Sequence, residues 1–197
     1  MNTMQRRTAL LTLAASALAA CAPESKPQFK AVDITGAEYA KDFPLPDADG
    51  RMRSIKDFQG KAVVVFFGYT QCPDVCPVTL TEIAEAKKLL GADGAKVQGV
   101  LITVDPERDK PELLKAYVAN FGPDFIALRG TPEQTAQVAK DFKVFYRRVE
   151  GKAPGTYFME HSAASFVYDP QGRLRLYSRY GSGAQALADD LKLVLKG

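Results

Sequence analysis

Two cysteines in the middle of the chain have a spacing that suits reactive or metal-binding thiols. Three residues separate Cys72 from Cys76, and Pro77 follows at once. The apolar, β-branched run Ala62 to Phe67 predicts a buried parallel strand before the pair, and a helical pattern begins after it. We therefore expect the thiols on a strand-to-helix turn, where the partial positive charge of the helix N-terminus favours the thiolate. This arrangement predicts redox chemistry, soft-metal binding, or both.

The single histidine of the chain is the candidate third member of this site. We expect His161 at the end of an irregular loop, just before a strand that begins near Ser165. The fold that the element order predicts, described below, places that segment beside the turn that carries the cysteines. Two thiolates and one imidazole favour Cu(I), with zinc as the competitor, and an added oxygen or water ligand would accommodate Cu(II). Structural zinc normally needs four protein ligands, which these three residues do not supply.

The first twenty residues have the character of a bacterial signal peptide. Arg6 and Arg7 supply positive charge, and the apolar stretch over residues 10–18 is too short to span a bilayer. The stretch runs into Leu18-Ala19-Ala20-Cys21, which resembles a lipobox and implies that Cys21 becomes the lipidated first residue of the mature protein. An ordinary cleavable signal with a chance cysteine is the alternative. We expect a signal peptide over 1–20, a lipidated N-terminus and polar tether over 21–40, and one domain over 41–197.

The cysteine count restricts what the other two thiols do. With Cys21 carrying lipid, Cys72 and Cys76 are the cysteines that remain, and such a pair in an exported protein can form a structural disulfide. A disulfide between residues so close in sequence closes a small loop and constrains the unfolded chain little. A functional thiol pair is therefore the favoured interpretation.

Composition and element order predict one α/β domain. The 197 residues carry a net charge of +3 without a long basic run, so nothing indicates binding to nucleic acid. The pattern gives a hairpin over Phe43 to Ile55, then β, α, β, α, then a further helix, a C-terminal β-hairpin and a last helix. Helices between buried strands require a sheet that is covered on both faces. We predict a thioredoxin-like fold, a central mixed β-sheet flanked by helices, with an added N-terminal β-hairpin.

Three segments together carry a family resemblance. They are Gly68 to Pro77 with both cysteines, Asp105 to Asp109, and His161 before a strand. Together they resemble the Sco/SenC family, which comprises copper-binding, thioredoxin-like proteins of cytochrome c oxidase assembly, over roughly Phe43 to Leu195. The acidic segment is then a partner-facing rim near the metal. The alternative is a charged loop in which Asp109 caps the next helix.

The resemblance implies a function and a set of partners. It implies copper ligation by Cys72, Cys76 and His161, and delivery of copper to the binuclear CuA centre of an apo oxidase subunit, or reduction of that centre's cysteines. Other copper carriers or thiol reductants are further expected partners, and lipid would hold the protein at the periplasmic face of a bacterial membrane. Family members often have Asp before the histidine, whereas this chain has Glu160.

Other thiol functions stay open at this stage. A general thiol-disulfide oxidoreductase, with Cys72 and Cys76 as its redox pair, usually has two residues between its cysteines and a cis-proline beside them. Met159 to Phe166 contains no proline. Thiol peroxidases usually place a proline before the reactive segment, and none occurs in Phe66 to Tyr69. A metallochaperone is favoured over an enzyme, and redox sensing is a further alternative.

Overall fold

The computed structural model describes residues 27–197. The predicted signal peptide and the lipidation of Cys21 lie outside these residues. No helix within 27–197 combines the length and apolar character needed to cross a membrane. The elements in chain order are β1 (Val32–Asp33), β2 (Leu45–Pro46), β3 (Met52–Arg53), β4 (Ala62–Gly68), α1 (Val75–Leu89), β5 (Val97–Thr103), α2 (Pro111–Ala119), β6 (Ile126–Leu128), α3 (Pro132–Asp141), β7 (Tyr146–Glu150), β8 (Tyr157–His161), β9 (Ser165–Tyr168), β10 (Leu174–Ser178) and α4 (Ala184–Val194).

A mixed sheet of six strands forms the centre of the domain, as the sequence predicts. Its strand order is β1-β10-β9-β4-β5-β6, with β4, β5 and β6 parallel and β9 antiparallel to β4. Every residue of β4 and β5 is buried, because both faces of these strands are covered. The central strand β4 ends at the segment that carries the cysteines, so the sheet presents that segment at its carboxyl edge.

The two phenylalanines of β4 point to opposite faces of the sheet. Phe67 packs against Phe142, which follows α3, with ring centroids 5.1 Å apart. Phe66 faces the other side, where its ring approaches His161 at 5.8 Å. On this side α1 also packs against α4. Successive side chains of β4 point to opposite faces of the sheet, so one face packs against the Phe142 side of the core and the other lies beside His161.

Residues 30–33, which precede the predicted domain boundary at residue 41, contact the domain directly. β1 pairs with β10, and the buried carboxylate of Asp190 in α4 accepts hydrogen bonds from the backbone N–H groups of Lys30 and Ala31, at 2.7 and 2.8 Å. The buried Asp190 carboxylate and the pairing of β1 with β10 thus hold residues 30–33 in place. Their polar composition alone predicts part of a tether. The predicted hairpin follows, since β2 pairs antiparallel with β3.

Candidate metal centre

The loop between β4 and α1 and the first turn of α1 hold the two cysteines at the carboxyl edge of the sheet. α1 begins at Val75, so Pro77 lies in its first turn, as the sequence predicts, whereas Cys76 lies within this turn and not on the loop before it. Asp74 occupies the position before the helix, but its side chain caps no helical amide. The Cys72 sulfur takes that place, because the backbone N–H of Cys76 donates a hydrogen bond to it at 3.4 Å. Both this amide and the helix N-terminus favour a negative charge on the sulfur.

The two thiols have opposite acidities. A hydrogen bond from the Cys76 thiol lowers the pKa of Cys72 to about 5, helped by the backbone N–H groups of Asp74 and Cys76 and by His161, and opposed by burial. The same hydrogen bond and burial raise the pKa of Cys76. Cys76 is fully buried, whereas Cys72 is half-buried. In the reduced protein at neutral pH, Cys72 is therefore the thiolate and Cys76 the thiol.

His161 presents one ring nitrogen to these thiols with a defined tautomer. Its Nδ1 lies 3.0 Å from the carbonyl oxygen of Ser162, which can only accept, so Nδ1 carries the proton. The other ring nitrogen, Nε2, then faces the thiols, 3.4 Å from the Cys76 sulfur. The rings of Phe66 and Tyr69 approach the imidazole edge-on, at 5.8 and 6.0 Å between centroids. The nitrogen that points at the thiols is thus the one able to bind a metal.

The structure corrects the local setting of His161. The sequence predicts it in an irregular loop, whereas it is the last residue of β8 and pairs with Tyr146 of β7. These two strands form a separate hairpin sheet, where the sequence predicts only an edge strand over Val144 to Val149. Glu160 projects to the opposite face from His161, where it forms an ion pair with Arg147 at 2.6 Å. The glutamate that replaces the family's aspartate therefore points away from the thiols.

The acidic segment between β5 and α2 supports the thiol loop. Lys110, and not Asp109, occupies the position that caps α2. Asp109 is fully buried, and its carboxylate accepts hydrogen bonds from the backbone N–H and the hydroxyl of Thr70, at 3.2 and 2.5 Å, and from the hydroxyl of Thr103, at 2.5 Å. Burial raises the pKa of Asp109. One carboxylate therefore ties the thiol loop to the end of β5, a role that the sequence does not predict.

Gly68 allows the close approach between the central strand and the first turn of α1. A Cβ at this position would lie 2.8 Å from the Cys76 sulfur and 2.8 Å from a ring carbon of Phe66. Both distances are shorter than carbon contacts allow, so any side chain here would displace the thiol. The one sequence signal for this role is a glycine at the end of a buried strand, directly before the cysteine segment.

The three candidate ligands fit a single metal ion. The sulfurs of Cys72 and Cys76 and a ring nitrogen of His161 all lie within 4.8 Å of one another, and no other cluster of three such ligands occurs in the described part of the chain. Ligands about 2.0–2.3 Å from one ion, at angles of about 110–120°, lie about 3.5–4 Å apart. A small contraction would close these atoms around an ion. The predicted proximity is observed, and metal binding by the three residues stays a prediction.

Comparisons with known proteins match this chain to one family. The family model described as SCO1/SenC matches residues 32–196. An SCO2-like protein of Rickettsia felis is 34% identical over 152 residues, which cover 77% of this chain and 74% of that protein. Matches to the human and bovine mitochondrial SCO2 homologues cover 58% of those longer proteins.

Solved structures of this family have the same mixed α/β arrangement. Copper-bound ScoI of Bradyrhizobium japonicum is 38% identical, with a TM-score of 0.70, and the match covers 78% of this chain and 98% of that one. Apo Sco1 of Thermus thermophilus is 34% identical, with a TM-score of 0.76, and the match covers 87% of this chain and 100% of that one. The predicted thioredoxin-like fold is confirmed.

Proposed function

Because this chain belongs to the SCO1/SenC family, we propose that it binds copper through Cys72, Cys76 and His161 and carries it for the assembly of a cytochrome c oxidase. The observation that carries the proposal is the cluster itself, two sulfurs and one imidazole nitrogen within 4.8 Å of one another. Thiolate ligands favour Cu(I), and three protein ligands leave room for an exchanging ligand. The copper bound to the related ScoI of Bradyrhizobium japonicum supports the same cargo here.

Unequal burial of the ligands gives an order for copper release. Cys72 and His161 are half-buried, whereas Cys76 is fully buried. A thiolate from a client protein reaches the two accessible ligands first, so these exchange before Cys76 does. The client in this proposal is an apo oxidase subunit, whose CuA cysteines supply the incoming thiolates. Other copper carriers would load the site, and thiol reductants would keep it reduced, since only thiolates bind the metal.

Copper titration tests this proposal directly. The fragment from Lys26 onward, without a histidine tag, is reduced under anaerobic conditions and titrated with Cu(I) against a competing chelator. We expect one tightly bound equivalent, a loss of at least about tenfold in affinity for His161→Ala, and loss of tight binding for Cys72→Ser and Cys76→Ser. Glu160→Gln is the matched control, because Glu160 neighbours His161 and projects to the opposite face.

Two results would count against the three-ligand site. Unchanged affinity in His161→Ala would remove the imidazole from the ligand set. Absence of tight Cu(I) binding by the unmodified fragment would overturn copper carriage altogether.

Anchoring through Cys21 is a further part of the proposal. The apolar stretch that ends in Leu18-Ala19-Ala20-Cys21 supports lipidation and attachment at the periplasmic face of a bacterial membrane. In cells, we expect the unmodified protein in the membrane fraction and Cys21→Ser in the soluble fraction, as judged by immunoblot of the two fractions. A Cys21→Ser protein that stays in the membrane fraction would refute lipid anchoring at this residue.

Reduction of client disulfides is the second candidate function, favoured by the accessible Cys72 thiolate. This thiolate would attack one sulfur of a client disulfide, form a mixed disulfide and release one client thiolate. Cys76 would then lose its proton and attack the Cys72 sulfur, which releases the second client thiolate. The client gains two electrons, and the Cys72–Cys76 pair becomes a disulfide.

The reduction potential of the pair decides between strong and weak reductase activity. A low thiol pKa stabilises the reduced form and makes the pair a weaker reductant. The pKa of Cys72, about 5, lies between the values of about 7 for thioredoxin and about 3.5 for DsbA. We expect a potential between about −270 and −120 mV, measured by equilibration with glutathione. A value at the oxidising end would exclude the reductase.

A further inference from the structure

The hairpin that carries His161 is separate from the central sheet. Among the described residues, β7 and β8 pair only with each other, as a two-stranded sheet. The bond from Nδ1 of His161 reaches the carbonyl oxygen of the next residue, Ser162, so it orients the ring on its own backbone and not against the thiols. Other contacts must therefore hold the hairpin at the right distance from Cys76.

Tyr157, the first residue of β8, is held from several directions. The guanidinium carbon of Arg108 lies 3.5 Å from the centre of its ring, and that of Arg148 lies 3.9 Å from it. Two groups this close cannot share one face, so the ring lies between them. The Tyr157 hydroxyl donates to Asp105 Oδ1 at 2.9 Å, and the Tyr157 carbonyl oxygen accepts from Arg108 Nη1 at 2.8 Å.

Arg108 links this tyrosine to the loop beside the thiols. Its Nε donates to Asp105 Oδ2 at 2.5 Å, in an ion pair whose side chains are 20% and 3% exposed. Its Nη2 is buried and has no hydrogen-bond partner among the described residues. The guanidinium carbon also lies 5.8 Å from the ring of Tyr69, and that ring contacts the imidazole of His161 edge-on. One arginine therefore contacts the base of the hairpin and a neighbour of the imidazole.

The geometry points to Arg108 as a positioning residue that fixes His161 relative to Cys76. We name Arg108, Asp105 and Tyr157 the hairpin staple. The staple joins the loop after β5 to the start of β8, and β8 ends at His161. Without it, the imidazole would keep its tautomer through Ser162 and lose its fixed place opposite the Cys76 sulfur. The consequence for copper affinity rests on the proposed function, whereas the placement of the imidazole in the apo protein does not.

The first test uses the apo protein and involves no metal. The chain has one histidine, so all imidazole signals in a nitrogen-15 NMR spectrum belong to His161. At one fixed pH, we expect a single sharp Nε2 resonance in the reduced protein, and a shifted, broadened one in Arg108→Ala. Tyr157→Phe keeps the ring and removes only the hydroxyl bond to Asp105, so it should give a smaller change in the same direction.

The second test is a double-mutant cycle on Cu(I) affinity. We expect Arg108→Ala to weaken binding about 10- to 100-fold in the otherwise unmodified protein, the usual range for residues that orient a ligand. In a His161→Ala background, the same substitution should change the affinity less than about twofold, because the residue that it positions is gone. Arg108→Lys keeps the charge without the planar fork and should restore only part of the affinity.

Arg53→Ala is the matched control. Arg53 donates to Asp47 at 2.7 Å with side chains 22% and 7% exposed, an ion pair much like that of the staple but placed in the β2–β3 hairpin. It should reduce stability without moving the His161 signal. If Arg108→Ala does not fold, Tyr157→Phe carries both tests.

Distinct results would overturn the two proposals. An unchanged His161 signal in Arg108→Ala, an equal loss of affinity in both backgrounds, or the same effect from Arg53→Ala would each refute the positioning role. If the unmodified protein binds no Cu(I), copper carriage fails, and the apo NMR comparison alone decides whether Arg108 positions His161.

Discussion

Cys72 and Cys76 are the same kind of residue four positions apart, yet their surroundings give them opposite protonation states. The sulfur of Cys72 sits at the helix N-terminus and accepts hydrogen bonds, whereas that of Cys76 is buried and donates one. At the scale of a single residue, burial and the hydrogen bond between the two thiols therefore decide which thiol reacts first. The accessible thiolate is the natural point of contact for a metal donor, an acceptor or a disulfide.

Alkylation of the reduced, metal-free protein should show this asymmetry. Because the pKa of Cys72 is lowered to about 5, its thiolate predominates at every pH above that value. The rate with iodoacetamide should therefore rise up to about pH 6 and then stay level to about pH 8, whereas an ordinary thiol gains about tenfold per pH unit over this range. Peptide mapping by mass spectrometry should find Cys72 modified and Cys76 protected.

In the fragment from Lys26 onward, Cys72→Ser is the control for this measurement, since it leaves only the buried thiol of Cys76 and should abolish rapid labelling. A rate that keeps rising through pH 8 would mean that the Cys72 thiol has an ordinary pKa.

Among the elements, the end of β4 sets the position of the Cys76 sulfur. Gly68→Ala would add a Cβ 2.8 Å from that sulfur, so we expect a loss of about 1–3 kcal/mol in the free energy of unfolding, together with weaker Cu(I) binding. Urea unfolding and Cu(I) competition measure the two effects. The weaker binding follows because the thiol must move away from the other two ligands.

Gly99→Ala separates stability from site geometry. Gly99 lies in β5, and a Cβ there would meet the Phe125 ring at 2.4 Å, far closer than carbon atoms approach. This variant should unfold more easily and keep its Cu(I) affinity. Equal losses of affinity in both variants would show that Gly68 acts through general stability.

The sequence predicts those elements whose burial requires a regular pattern of apolar residues. The run of β4 and the helix after the cysteines are confirmed. The sequence does not predict β8, because its short alternation of side chains can be recognised as a strand only when it pairs with β7. The contacts of Asp109 with Thr70, 39 positions away, and of Arg108 with Tyr157, 49 positions away, depend on the folded chain and leave no local signal.

For the whole molecule, one buried carboxylate joins the two ends of the domain. Asp190→Ala would leave the backbone N–H groups of Lys30 and Ala31 without their acceptor, at a cost of about 1–3 kcal/mol in the free energy of unfolding. Hydrogen exchange followed by mass spectrometry should show faster exchange over residues 27–36. Asp189→Ala is the control, since that carboxylate binds only the exposed side chain of Gln185 among the contacts found. Equal exchange in both variants would remove Asp190 from this role.

The same attachment limits how far the domain could lie from a membrane under the proposed lipidation of Cys21. Only nine residues, 22–30, separate Cys21 from the end of the segment fixed to α4, and a chain of nine residues reaches at most about 30 Å. A domain of this size has a radius of gyration of about 15 Å, so this connection would be no longer than the domain is wide. The protein would then search for clients in two dimensions, as a layer at the lipid surface, and would meet only acceptor sites held within that layer.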